Sequence, residues 1–428
     1  MTVSVVVGTQ FGDEGKGKIV DLLASDFDVI ARFNGGANAG HTVVVGDESF
    51  AFRLLPSGAI RGKQVAIGNG VVVDPDLLIK EIDEIEARTS QEVKLWLSDR
   101  AHVVMPYHKT LDGAEKRLKG DLSSGSTRRG IGPCYGDKIT RVGIRIGDLT
   151  DRKLLEEKLK TYLPLKKKIL DAFGLELDVS REGLVEWCLS SGERLAKYIA
   201  DTSVSLNAAV DEGKDLLLEG AQGTHLDIDH GVYPFGTSSN PTAGGACTGT
   251  GLSPRKIDEV VGIVKAYTSR VGEGPFPTEI MDSTADEIRE KGGEYGTVTK
   301  RPRRCGWLDL VMVGYSARVN GLSGLALTKL DVLGGFSEIE VCVAYEIEGR
   351  EITEFPANIS SLSAVRPVYE TLPGWEYQQD EEWKRICQDG YDELPGNVRR
   401  YVEYVEKQLG TRVEIVSVGK DRDATIRR

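Results

Sequence analysis

The chain has 428 residues, with 54 lysines and arginines against 66 aspartates and glutamates, a formal charge of −12. An acidic balance with no basic tail argues against a nucleic-acid partner, so any anion site must be a local gathering of Arg, Lys and backbone N–H groups. No apolar run reaches membrane-spanning length and the first residues carry no charged leader or cleavage site, so no membrane partner and a cytoplasmic location are expected. The six cysteines (Cys134, Cys188, Cys247, Cys305, Cys342 and Cys387) are widely spaced without a C-x-x-C pair, which indicates neither a zinc site nor a disulfide frame.

In chain order, the apolar stretch 3–7 has the length and branching of a buried parallel strand. A loop, Gly8-Thr9-Gln10-Phe11-Gly12-Asp13-Glu14-Gly15-Lys16-Gly17-Lys18, follows, and the spacing of 19–23 predicts a helix. Strand, glycine loop and helix make a phosphate site: glycines let the backbone approach an anion, and the helix N-terminus adds partial positive charge. Residues 12–18 match the spacing G-x-x-x-x-G-K, but Ile19 stands where a metal-binding hydroxyl would follow, which leaves Asp13 as the obvious oxygen ligand for magnesium. A plain glycine turn with solvated lysines satisfies the same spacing.

A strand is expected at 28–33, a second glycine loop at 34–42, a hairpin over 43–45 and 50–55, and strands at 64–67 and 93–97. Asp74-Pro75 starts a helix running to about 88. Residues 118–146 read as one long polar loop, and 151–210 as a helical subdomain. A strand at 216–218 leads into a third glycine loop. Further strands are expected at 260–267 and 324–327, a helix at 307–320, an acidic hairpin at 338–348, a helix at 397–409 and a last strand at 412–418. Strands alternating with helices predict an α/β fold, a mostly parallel central sheet flanked by helices, organised as one domain over 1–428.

Thr328-Lys329-Leu330-Asp331 at a strand end is the second signal. A carboxylate accepts both the N1–H and the exocyclic amine of guanine, a donor pair that adenine lacks. The third is Thr297-Val298-Thr299-Lys300-Arg301-Pro302-Arg303-Arg304, whose four clustered cations suit an anion clamp. Asp13 and His41, each in a glycine loop after a strand, are acid/base candidates; His102, His108, His225 and His230 are taken as structural.

G-D-E-G-K-G-K, N-A-G-H-T, T-R-R-G-I-G-P, E-G-A-Q-G-T-H-L-D-I-D-H-G, the arginine loop and T-K-L-D occur in this order across almost the whole chain. Together they resemble the adenylosuccinate synthetase family, GTP-dependent ligases that join L-aspartate to IMP through a 6-phosphoryl intermediate in AMP synthesis. The resemblance implies catalytic roles for Asp13, His41 and Lys16, and Mg2+ ligated by Asp13 and Gly40. It implies GTP contacts from Gly12, Asp13, Glu14, Gly15, Lys16, Gly17 and Lys18, from Gly40, His41 and Thr42, and from Arg303, Lys329, Leu330, Asp331, Ser417, Val418 and Gly419. IMP falls to Asp13, Glu14, Gly15, Lys16, Asn38, Ala39, Gly40, His41, Thr127, Gln222, Thr237 and Arg301. Arg141 is implied to reach the partner's IMP in a homodimer. Aspartate falls to Thr297, Val298, Thr299, Lys300, Arg301, Pro302 and Arg303, where Val298, Lys300 and Pro302 depart from the family's usual T-T-G-R-x-R-R. A GTP-binding switch and a nucleotide kinase are the rival readings. Neither would consume aspartate.

Overall fold

The computed structural model describes every residue except 46–47, 124, 126 and 297–300, and only the backbone of 41–45, 48, 49, 116, 118 and 121. Its centre is a ten-stranded sheet built from β1 (Val3–Gly8), β2 (Val29–Arg32), β3 (Gln64–Ile67), β4 (Leu95–Ser98), β5 (Ile199–Ala200), β6 (Leu216–Glu219), β7 (Glu259–Lys265), β8 (Gly324–Thr328), β9 (Val413–Ser417) and β10 (Thr425–Arg427). The spatial order is β10-β9-β8-β7-β1-β6-β2-β3-β4-β5. Every neighbouring pair is parallel except β9 with β10.

β1 is buried along its whole length. Side chains alternate between faces along a strand. Accordingly Val6, Ile30, Leu217 and Ile263 join one apolar cluster, and Val3, Val5, Val7, Val29, Leu216 and Leu218 join the cluster on the other face. Burial on both faces is what lets these strands read as unbroken apolar runs. Among the described residues no helix is long and apolar enough to cross a membrane.

The structure corrects several boundaries. The long loop expected over 118–146 contains a helix, Ile131–Thr140, entered through Gly130 in the left-handed region (φ +77°). Its Gly, Pro and Cys content hides it, yet Pro133 falls in the first turn, where a missing N–H costs nothing. The helix expected at 307–320 begins at Leu310, because Asp309 caps it by accepting from the Met312 N–H (3.0 Å) and residues Leu308–Asp309 pair with a strand instead. The acidic hairpin at 338–348 is one strand, Glu338–Ile347, turning at Glu348 and Gly349 into Arg350–Ile352 and pairing on its other side with Arg366–Pro373. β10 was not expected. The segment 151–210 is helical (Arg152–Ala172, Arg181–Leu195, Thr202–Asp211), but it also supplies β5 to the sheet edge.

Candidate active site

Open parallel sheets bind ligands at the carboxyl ends of their strands. Six adjacent strands, β9-β8-β7-β1-β6-β2, end here in Ser417, Thr328, Lys265, Gly8, Glu219 and Arg32. Five strand spacings span about 24 Å. The sequence motifs therefore lie side by side along one edge, in the order base-recognition motif, phosphate loop, third glycine loop and second glycine loop.

The phosphate loop runs from β1 into a helix that begins at Lys16, three residues before the expected start. Gly12 (φ +93°) and Gly15 (φ +87°) both lie in the left-handed region. A Cβ on Gly12 would stand 2.8 Å from the Gln222 Cα, so the first and third glycine loops touch through backbone there. Inside the loop, the buried Glu14 carboxylate accepts from the Gln10 N–H (2.9 Å), the Gly12 N–H (2.8 Å) and the Lys16 ammonium (2.7 Å). Lys16 also donates to the Gly12 carbonyl (3.2 Å), so it closes the loop on itself. Lys18, the lysine that the loop spacing would place at phosphates, turns to the C-terminal segment. It donates to Ser417 Oγ (2.7 Å) and to the carbonyls of Gly419 (2.8 Å) and Ala424 (3.0 Å). Burial pulls its ammonium down to about 8.

Asp13 lies at the lip of a cleft of about 490 Å³. Its Oδ2 accepts from Lys265 Nζ (3.0 Å) and from Ser269 Oγ, while its Oδ1 is buried with no hydrogen-bond partner. The cleft gathers Asp13, Asn38, Ala39, Gly40, Thr127, Gln222, Thr237 and Arg303, which the sequence had placed in five separate loops. Gln222 holds φ +60° and donates to Asn38 Oδ1 (3.1 Å); such a conformation in a non-glycine residue is strained and concentrates at functional positions. Asp13 and Gly40 together offer hard oxygen donors beside one unpartnered carboxylate oxygen, a set that fits magnesium when phosphate oxygens complete its shell.

At the other end, Thr328 leads into Lys329 (φ +60°) and a short 3-10 turn, Leu330–Leu333. Asp331 Oδ1 is buried without a partner, and burial pushes its carboxyl above the usual range. Ser417 is the neighbouring strand's end, held by Lys18.

Other expected residues stand apart from the cleft or outside the description. The side chains of His41 and Thr42 and residues 297–300 fall outside the described atoms, although His41 opens the strand His41–Val45. Arg141 is exposed at the C-terminal cap of Ile131–Thr140, whose first residues line the cleft. Pro302 bridges Tyr295, flanked by Gly296 N–H to Arg301 C=O (2.8 Å) and Arg303 N–H to Glu294 C=O (2.9 Å), so its missing donor is not needed there. Sequence reasoning missed Lys265, Ser269, Tyr267 and Glu294. The one available signal was a lysine ending an apolar strand; its partner Asp13 is 252 positions away.

A family model described as adenylosuccinate synthetase matches residues 5–426. The adenylosuccinate synthetase of Carboxydothermus hydrogenoformans is 50% identical over 428 residues, covering 100% of this chain and 99% of that protein. The enzyme of Bifidobacterium longum subsp. infantis is 49% identical over 423 residues, covering 99% and 97%. The solved structure of fully ligated adenylosuccinate synthetase from Plasmodium falciparum superposes with a TM-score of 0.91 at 38% identity, covering 100% of both chains. A succinoaminodeoxyadenylate synthetase of cyanophage S-2L bound to dGMP and dATP shares the fold at a TM-score of 0.62 and 20% identity, covering 100% of this chain and 95% of that one.

Proposed function

From the premise that the chain belongs to the adenylosuccinate synthetase family and so is a GTP-dependent ligase of IMP and L-aspartate, we propose that Asp13 is the general base of that ligation. The supporting observation is its carboxylate, fixed at Oδ2 by Lys265 and Ser269 with Oδ1 unpartnered at the cleft. IMP occupies the cleft with its base against Asp13 and its remaining contacts on Asn38, Ala39, Gly40, Thr127, Gln222 and Thr237. GTP lies along the strand ends, guanine on Lys329–Asp331 and Ser417–Gly419, triphosphate over residues 12–18.

The hypoxanthine oxygen is a poor leaving group. Asp13 takes the N1 proton, the electron pair moves to O6, and O6 bonds to the γ-phosphorus while its bond to the β–γ bridging oxygen breaks and GDP departs. The aspartate amine then attacks C6, the C6–O6 bond breaks with its electron pair going to the departing phosphate, and the nitrogen gives up one proton, which the phosphate takes. Arg301 and Arg303 hold the aspartate carboxylates, and His41 and Lys16 meet charge developing on the phosphoryl group. For Lys16 to do so, phosphate must displace the Glu14 carboxylate, which now holds that ammonium and two loop amides. Magnesium bound by Asp13 and Gly40 would neutralise triphosphate charge.

The same reading takes residues 1–428 as one domain, since Leu155, Leu159, Leu163 and Leu184 of the helical segment share an apolar cluster with Val6 and Ile30 of the sheet. Asp13→Ala is expected to lower turnover by at least about a hundredfold while a GTP analogue still binds, read by phosphate release and nucleotide titration. Ordinary turnover in that variant would refute the role. Phosphate release that ignores IMP and aspartate would favour a switch over a ligase.

A further inference from the structure

Glu294 follows the helix Ser283–Gly292 and is fully buried. Its Oε1 accepts from Tyr267 OH (2.5 Å), Lys265 Nζ (3.2 Å) and Lys329 Nζ (3.2 Å). Its Oε2 accepts from Arg303 Nη1 (2.5 Å) and lies 3.1 Å from Ser269 Oγ, whose single hydrogen goes to Asp13. Its backbone carbonyl also accepts from the Arg303 N–H (2.9 Å). One carboxylate thus takes four side-chain donors, three of them cations from three parts of the site. Lys265 ends β7 and holds Asp13, Arg303 lines the cleft, and Lys329 opens the guanine motif.

Lys265 is fully buried and Arg303 and Lys329 are half-buried, and three cations so placed need anions, because desolvating an unpaired charge costs several kcal/mol. Among the described residues, Asp13 and Glu294 are the two carboxylates bound to this group, and Glu294 is the one that all three cations share. Arg303 and Lys329 do not bond each other. Their separation is set by the width of one carboxylate.

We infer that Glu294 is a positioning residue for the ligation, a buried yoke that places Arg303 and Lys329 together and so couples guanine-nucleotide binding to aspartate binding. The inference rests on the proposed assignment of Arg303 to the aspartate loop and Lys329 to guanine. A ligand that orders either cation orders the other through the shared carboxylate, and such coupling is reciprocal between the two ligands.

Steady-state kinetics of the full chain with Mg2+ test it. Glu294→Gln keeps the shape and removes the charge. The KM for GTP and the KM for L-aspartate are both expected to rise at least about tenfold, with the KM for IMP within about twofold. Glu294→Asp should restore most of the loss. A merely structural role would lower kcat through the active fraction and leave every KM in place, and that result overturns the inference. So does a rise in only one of the two KM values. If Glu294→Gln does not fold, Tyr267→Phe decides, since it removes one donor to Oε1 and keeps the charge; the same two KM values should rise together by a smaller factor, and unchanged values refute the yoke. Arg303→Leu and Lys329→Ala separate the two layers. If they raise the aspartate and GTP KM values while the Glu294 and Tyr267 variants do not, the yoke alone falls. If they raise neither, the assignment beneath it falls as well.

Discussion

On the proposed placement of guanine at Lys329–Asp331, base selectivity rests on the single residue Asp331. Its half-buried carboxyl has one buried oxygen with no partner, and burial pushes it toward protonation, so it gains from a ligand that brings two donors. Guanine brings N1–H and the 2-amino group. Asp331→Asn should turn that preference, because an amide accepts from N1–H but donates to an oxygen at position 2. The KM for GTP is expected to rise at least about tenfold and xanthosine triphosphate to become a usable donor, measured by phosphate release with each nucleotide. Equal use of GTP by both proteins would remove Asp331 from base recognition. Lys329 beside it and Gln222 across the cleft both hold positive φ without being glycine, the kind of local strain that surrounding contacts must hold in place.

Among the elements, the helix Ile131–Thr140 links the cleft to the surface. Ile131, Gly132 and Pro133 line the cleft, while Arg141 caps the other end at φ +64°. Ten residues of helix separate the two ends by about 15 Å. In the homodimer that the family resemblance implies, this exposed arginine at the far end would reach the partner's cleft rather than its own. Arg141→Leu is expected to raise the KM for IMP about tenfold with the thermal midpoint unchanged, and sedimentation velocity across a concentration range should find a dimer in both proteins. A monomer that retains full IMP affinity would end this view. The helix C-terminus also shows why Asp137 is pinned. Its carboxylate pairs with His108 Nε2 (2.9 Å) and with Lys166 of Arg152–Ala172, locking the cleft wall to the helical segment.

For the whole molecule, buried titratable groups set the pH range. Burial pushes His225 and His102 down to about 4 and Asp309 up to about 6. Histidines in the unfolded chain titrate near 6.5, so below that pH the unfolded state binds protons that the folded state refuses. Stability from the two histidines is complete above about 6.5 and is lost as pH falls toward 4. Asp309 acts in the opposite sense, since its folded form takes up a proton between about 6 and its unfolded value of 3.8, which stabilises the fold as pH falls. Two histidines against one carboxyl leave a net loss on the order of 3 kcal/mol on acidification from pH 7 to 4.5. Calorimetric midpoints should therefore fall over that range. His225→Gln should flatten the fall, and Asp309→Asn, which keeps the cap, should steepen it. Identical slopes in all three proteins would mean that other groups govern acid stability.

By itself, the order of residues determined the alternation of strand and helix, the three glycine loops and the motifs that name the family, because each is a local pattern of period, turn residue or spacing. The helix Ile131–Thr140 stayed hidden because glycine and proline at its start imitate a loop, and β10 because a three-residue edge strand has no period to read. Tertiary structure alone decided that Lys18 holds Ser417, that Glu14 accepts from the loop amides and Lys16, and that Lys265 and Glu294 belong to the site. Those facts are charge pairings between residues that meet only when parallel strands are laid edge to edge. A carboxylate buried among cations has the same letters around it as one on the surface until the sheet closes over it.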